Sequence, residues 1–200
     1  MSEAGAPAWR SALRREMWQP LVDNAREAVP APAGVEARLA RIEQESAIRD
    51  LLHQYACCYD GNDVEGAISV FHADCVLINP RGSYVGLEAI RRNYQYLTTV
   101  RRFSFHQLSN IVIRLSPDGR QALSTAYFHV IQVGNSGAAD AGDGSYVDRL
   151  VSEDGWKIAE RRITLNVSYA LSVLPDAWPA RPEPSRPEGS RDWIGPAFLR

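Results

Sequence analysis

Between residues 35 and 60 apolar side chains recur every three to four positions: Val35, Leu39, Ile42, Ile48, Leu51, Leu52, Tyr55 and Tyr59. On a 3.6-residue repeat they form one stripe, so the pattern predicts a long amphipathic helix with a single inward face. Gly61 stops it in the usual C-terminal manner. Asn62 and Asp63 are placed to cap a second helix, with Val64, Ala67, Ile68 and Phe71 inward. Short strands are expected at 75–79 and 83–85 around Pro80-Arg81-Gly82, and Gly86 opens a third helix that runs to Leu97.

Beyond that helix the period changes from 3.6 to 2. Residues 103–115 and 121–133 read as long strands joined by Ser116-Pro117-Asp118-Gly119, a strong turn signal. Residues 146–151 and 156–167 read as a second hairpin around Glu153-Asp154-Gly155. The intervening stretch 134–143, rich in Gly, Ala and Asp, reads as a loose loop. Helices followed by strands define an α+β fold: a strongly curved, cone-shaped antiparallel sheet, with three N-terminal helices enclosing a pocket.

The ends carry different patterns. Residues 1–34 read as an N-terminal arm. Trp9, Leu13, Met17, Leu21 and Val22 lie at helical spacing, and a Pro/Ala linker follows at 28–34. Such a stripe buries itself either on the chain's own core or on a neighbouring subunit. The core domain spans 35–173. Residues 174–200 hold six of the twelve prolines and read as an extended tail, in which Trp178, Trp193 and Phe198 argue for some docking.

Composition narrows the function. The 45% hydrophobic and 23% charged content is that of a soluble globular domain. A net charge of -2, with Arg91-Arg92 and Arg101-Arg102 as local pairs rather than a basic stripe, argues against a nucleic-acid groove. No apolar run reaches the roughly 18 residues of a membrane span, and none follows Arg14-Arg15 as in a secretion signal. Cys57, Cys58 and Cys75 have no disulfide or metal spacing; they read as small buried hydrophobes in a reducing, cytoplasmic setting. Four His without His-x-His or His-x₃-His spacing indicate no metal site, and no glycine-rich phosphate loop indicates no nucleotide cofactor.

The chemistry-bearing candidates are Tyr59 and Asp60 at the end of the first long helix and His106 on the first long strand. By alternation His106, Leu108, Asn110 and Val112 share one face of that strand. A histidine there is either satisfied within the sheet or a general base; Asp60 is either a turn residue or the partner that fixes the imidazole tautomer. Tyr59 lies on the apolar stripe, where packing accounts for it as well as donation to a substrate oxygen does. Tyr55 reads as pocket wall. His129, on a face with Tyr127 and Ile131, is a candidate donor, and Asn110 and Tyr146 are candidate pocket polar groups. His53 and His72, on predicted helices with no partner groups, read as surface or structural residues.

Several segments together carry a resemblance: Ile48-Arg-Asp-Leu-Leu-His-Gln-Tyr55, Tyr59-Asp60-Gly-Asn-Asp63, Phe71-His-Ala-Asp74, Tyr84-Val-Gly86, His106-Gln-Leu-Ser-Asn110 and Gly155-Trp-Lys-Ile-Ala-Glu-Arg161. The chain resembles the SnoaL-like families of the nuclear transport factor 2-like superfamily. Asp60 and His106 look like the acid/base dyad of the scytalone dehydratase and hexachlorocyclohexane dehydrochlorinase branches. Tyr59 matches the tyrosine that precedes the Asp in the former, and His129 is an approximate counterpart of its second histidine. The resemblance implies a cofactor-free lyase or isomerase, a dehydratase or cyclase of the secondary-metabolism kind, working as a homodimer or homotrimer on a small hydrophobic carbonyl compound, polycyclic or aromatic. The other implied class is a non-catalytic binding or assembly module, like the β-subunits of ring-hydroxylating dioxygenases.

Overall fold

Residues 35–60 fold as one helix, but only the second half of the predicted stripe (Ile48, Leu51, Leu52, Tyr55 and Tyr59) is inward; Val35, Leu39 and Ile42 are exposed, because the core packs against the helix only from Ile48 onward. The computed structural model describes residues 18–28 and 30–171; Trp9, Leu13, Met17 and the proline-rich tail from 174 onward lie outside the described residues. Four helices are present among them: α1 (18–26), α2 (Val35–Asp60), α3 (Val64–Ile68) and α4 (Leu87–Val100). Six strands follow the same chain order: β1 (Phe71–Asn79), β2 (Gly82–Val85), β3 (Arg101–Leu115), β4 (Gln121–Gly134), β5 (Ala139–Glu153) and β6 (Gly155–Ala170).

The sheet order is β2-β1-β6-β5-β4-β3, an open sheet with β2 and β3 at its edges. Neighbours are antiparallel except β1 and β6, which run parallel, so the sheet is mixed rather than wholly antiparallel. That pair joins the first and last long strands of the chain, and no local turn signal specifies such a contact. Register shifts interrupt the β1–β6, β3–β4 and β5–β6 ladders, and bulges of this kind bend and twist a sheet. The curved inner face receives Ile48, Leu52 and Tyr55 of α2 with Ile90, Tyr94 and Leu97 of α4, against Leu77, Phe128, Tyr146, Leu150 and Ile158.

Two local findings differ from expectation, and a third chooses between the two placements open to the arm. Strand β5 begins at Ala139, inside the stretch read as a loose loop. Its weak strand propensity is overridden because β4 and β6 pair with it on both sides, and its glycines let the neighbours close in. A Cβ on Gly142 would lie 2.8 Å from Leu165 Cδ1, and one on Gly144 would collide with the Thr164 carbonyl and the Phe128 ring. At the end of α2 the left-handed residue is Asn62 (φ 57°), not Gly61 (φ -73°). The arm's α1 docks on the chain's own sheet: Leu21 is buried, Trp18 meets Tyr127 edge-on at 5.6 Å, and Asn24 Nδ2 donates to Val112 O (3.2 Å) and Thr125 Oγ1 (3.0 Å).

Candidate active site

Asp60 is the last residue of α2, and β3 is an edge strand. Half the N–H groups of an edge strand lack a strand partner, and a buried one needs an acceptor. Asp60 supplies it: Oδ2 accepts the His106 backbone N–H at 2.6 Å, and Oδ1 meets His106 Nδ1, also at 2.6 Å. One carboxylate thus holds both the main chain and the ring of the same residue. Asp63, the N-cap of α3, accepts the Gly66 N–H at 2.9 Å and so turns the chain directly after this point.

The pair is shielded, with side chains 7% (His106) and 17% (Asp60) exposed. Burial raises the Asp60 pKa, but the hydrogen bond and charge of His106 and its backbone N–H outweigh that, and the carboxyl ends below its ordinary value. An ionised carboxylate only accepts, so Nδ1 carries the proton. The free nitrogen is Nε2, on a ring that lines a cavity of about 390 Å³. That volume lies within the roughly 300–1,000 Å³ range of small-molecule sites.

Aromatic rings form the cavity's inner end: Tyr55, Tyr59, Tyr94, Phe128 and Tyr146 all line it. The Tyr59 ring stands edge-on to the His106 ring at 5.2 Å, and Phe128 stacks on Tyr146 at 4.6 Å. Burial, reinforced by Tyr55, pushes the Tyr59 phenol up to about 12, against the pull of Arg101 and Arg81. Burial, with Tyr55 beside each, likewise raises Tyr94 and Tyr146 well above the ordinary phenol value. All three hydroxyls therefore stay protonated; that of Tyr94 meets the Tyr55 hydroxyl at 2.9 Å, and the Tyr146 ring stacks on Phe128. Tyr59 is fixed from behind by Arg101, whose guanidinium lies 4.1 Å from the ring centre and donates to Tyr59 O (2.9 Å) and Asn62 Oδ1 (3.0 Å).

The expected site residues thus divide. Tyr55, Tyr59, Asp60, His106 and Tyr146 come together at one cavity, Asp60 acting behind His106. His129 does not join them. Phe128 and Val130 take the inner face of β4, so His129 lies on the outer face, where its Nδ1 meets Asp143 Oδ1 at 2.8 Å. Asn110 is also displaced: it sits at the β3 bulge with φ 49°, exposed, and the inward alternation resumes at Ile111, Ile113 and Leu115. Cys57 is exposed and Cys58 half-buried, unlike buried Cys75. Among the described residues no three His, Cys, Asp or Glu side chains converge as metal ligands would.

One buried feature escaped the sequence reading. Beneath the cavity, Arg161 donates to both oxygens of Asp148 at 2.8 and 2.7 Å, with its guanidinium 4.2 Å from the Tyr55 ring centre and 4.5 Å from that of Tyr146. Alternation from Trp156 and Ile158 puts Glu160 inward; the β5–β6 register shift turns Arg161 inward instead.

The mixed curved sheet, the helices on its concave face and the cavity between them match the nuclear transport factor 2-like fold. The family model described as SnoaL-like domain matches residues 40–162, and the chain belongs to that family. Solved structures agree on the fold. A protein of Novosphingobium aromaticivorans assigned as a scytalone dehydratase is 23% identical (TM-score 0.61, covering 66% of this chain and 91% of that one). A protein of the same species assigned as an aromatic ring hydroxylase is 26% identical (TM-score 0.61, covering 65% and 94%). A type 2 hexachlorocyclohexane dehydrochlorinase is 18% identical (TM-score 0.65, covering 71% and 98%). Comparison with curated proteins finds no match.

Proposed function

We propose that this protein is a cofactor-independent acid/base enzyme, a lyase or isomerase of the dehydratase or cyclase type, acting on a small hydrophobic carbonyl compound. The observation that carries the reading is the 2.6 Å contact between the Asp60 carboxylate and His106 Nδ1, on a ring that lines an aromatic cavity. His106 Nε2 removes a proton from a carbon beside the carbonyl. Asp60 keeps the ring in the right tautomer and stabilises the imidazolium that forms. Tyr59, held protonated by burial, donates to the oxygen that gains charge. Tyr55, Tyr94, Phe128 and Tyr146 receive the apolar body of the substrate.

The test needs no knowledge of the natural product. An aromatic ketone such as 2-tetralone exchanges its acidic protons in D2O, and NMR follows the loss of signal. The protein should accelerate this exchange, and His106→Ala should slow the catalysed rate by about 10²–10⁴-fold. Exchange that persists in His106→Ala removes the mechanism. The second reading is the other class that the sequence resemblance implies, a non-catalytic assembly subunit. Obligate co-purification with a larger subunit, together with no exchange activity, would select it.

A further inference from the structure

The cavity wall holds a cation that the dyad does not use. Arg81 stands at the tip of the β1–β2 hairpin, where Asn79 Oδ1 accepts both the Arg81 N–H (2.8 Å) and the Gly82 N–H (3.2 Å). An Asx turn of this kind sets the direction in which the loop leaves the strand. Arg81 lines the cavity with Tyr59, Tyr94, Leu97 and His106. It is exposed, and its side chain, like those of Arg92, Arg101 and Arg149, forms no ion pair among the described residues; what sets it apart is that no other arginine or lysine among them lines the cavity. Asp140 also lines the cavity, yet no ion pair joins it to Arg81.

We propose that Arg81 is a further catalytic residue of this site: together with Tyr59 it holds the substrate oxygen on which negative charge develops while His106 takes the proton. The inference rests on the acid–base reading above and adds a cation to its Tyr59 donor, a part His129 cannot play from the far face. The charge balance explains the need. The C–H electron pair becomes the new carbon–carbon π bond, the carbonyl π pair moves onto oxygen, and the proton ends on His106 Nε2. The enolate then expels a leaving group or takes a proton back at another carbon, and His106 gives up its proton to the leaving group or to that carbon. At the intermediate the new imidazolium faces Asp60. Without Arg81 the enolate oxygen would meet the Tyr59 phenol but no arginine or lysine among the described residues that line the cavity. Arg81 makes it the second of two matched pairs. The field at Tyr59 agrees: the Arg81 charge favours the ionised form of that hydroxyl, so an anion beside the Tyr59 oxygen is stabilised from Arg81.

The probe is 4-nitrophenolate, whose charged aromatic oxygen resembles an enolate, with its neutral methyl ether 4-nitroanisole as control. Arg81→Gln should weaken 4-nitrophenolate by about 10- to 100-fold, the range of a charge-assisted hydrogen bond, and leave 4-nitroanisole unchanged. Arg81→Lys should recover part of the loss, because the charge returns without the forked donor geometry. In ketone exchange Arg81→Gln should lower kcat more than it raises KM, since the charge exists only beyond the ground state. The proposal is overturned if the wild type shows no preference for the phenolate, if Arg81→Gln keeps that preference, or if it loses both probes equally. The two readings separate cleanly. Arg81-dependent phenolate binding with exchange indifferent to His106→Ala rejects the dyad alone. A His106-dependent exchange with phenolate binding indifferent to Arg81 rejects this inference alone.

Discussion

Substituting Asn for Asp148 tests whether the cavity floor rests on the buried Arg161–Asp148 pair. Both side chains are essentially inaccessible, at 0% and 1% exposure, and both carboxylate oxygens are engaged. Burial alone would lower the Arg161 pKa; the Asp148 charge and its hydrogen bonds more than reverse that, so the guanidinium stays charged. Its Nη1 already lacks a hydrogen-bond partner, which leaves Asp148 as its main compensation. Asp148→Asn strands this cation between the Tyr55 and Tyr146 rings. Breaking such a pair by removing one partner costs about 3–5 kcal/mol. For a chain of this size roughly 2–4 °C of Tm accompanies each kcal/mol, so Tm should fall by about 6–20 °C. Thermal and urea unfolding followed by circular dichroism measure it. The double variant Asp148→Leu with Arg161→Met should recover most of the loss, because it removes the buried charge as well as its partner. A loss under about 1 kcal/mol in Asp148→Asn, or a double variant worse than the sum of the singles, would refute the reasoning.

Three further outcomes follow from single features. Asp60 has a folded pKa below its ordinary 3.8, so the stability it contributes is complete above that value and disappears as pH falls through the lower folded one. The Tm gap between wild type and Asp60→Asn should therefore hold from about pH 7 to 5 and shrink below about 4; a gap that widens in acid contradicts the assignment. Gly144→Ala should cost about 1–3 kcal/mol, because its Cβ meets the Thr164 carbonyl of the backbone, whereas Gly142→Ala meets the movable end of Leu165 and should cost less; denaturant midpoints compare them. With a thiol reagent such as Ellman's, Cys57 should react first and Cys75 last, since Cys75 is enclosed and burial pushes its thiol up.

The resemblance carried by the local segments agrees with the family model over residues 40–162 and with the fold. The residues within that frame were legible to different degrees. Tyr59 and Asp60 could be placed at the end of α2 because a helical stripe is local, and the Ser116–Gly119 and Glu153–Gly155 turns could be placed because their residues dictate backbone conformation. Strand faces were harder. Tyr127, Ile131 and Val133 rival Phe128 and Val130 in apolar character, so alternation in β4 offers two candidate inward faces, and packing selects the one without His129.

By itself the sequence determined what nearest neighbours along the chain decide: the helix over 35–60 and the inward face of its second half, the Asp63 cap, the hairpin turns, and an Asp at a helix end and a His on a strand. The tertiary structure decided everything that depends on register. A bulge at Asn110 returned β3 to its core face, and a second one sent Arg161 inward to Asp148. The parallel β1–β6 pair closed the far wall, and the open edge of β3 left the His106 N–H for Asp60 to accept. A single extra residue reverses every side chain after it, and only the competition among packed strands determines where that residue is accommodated.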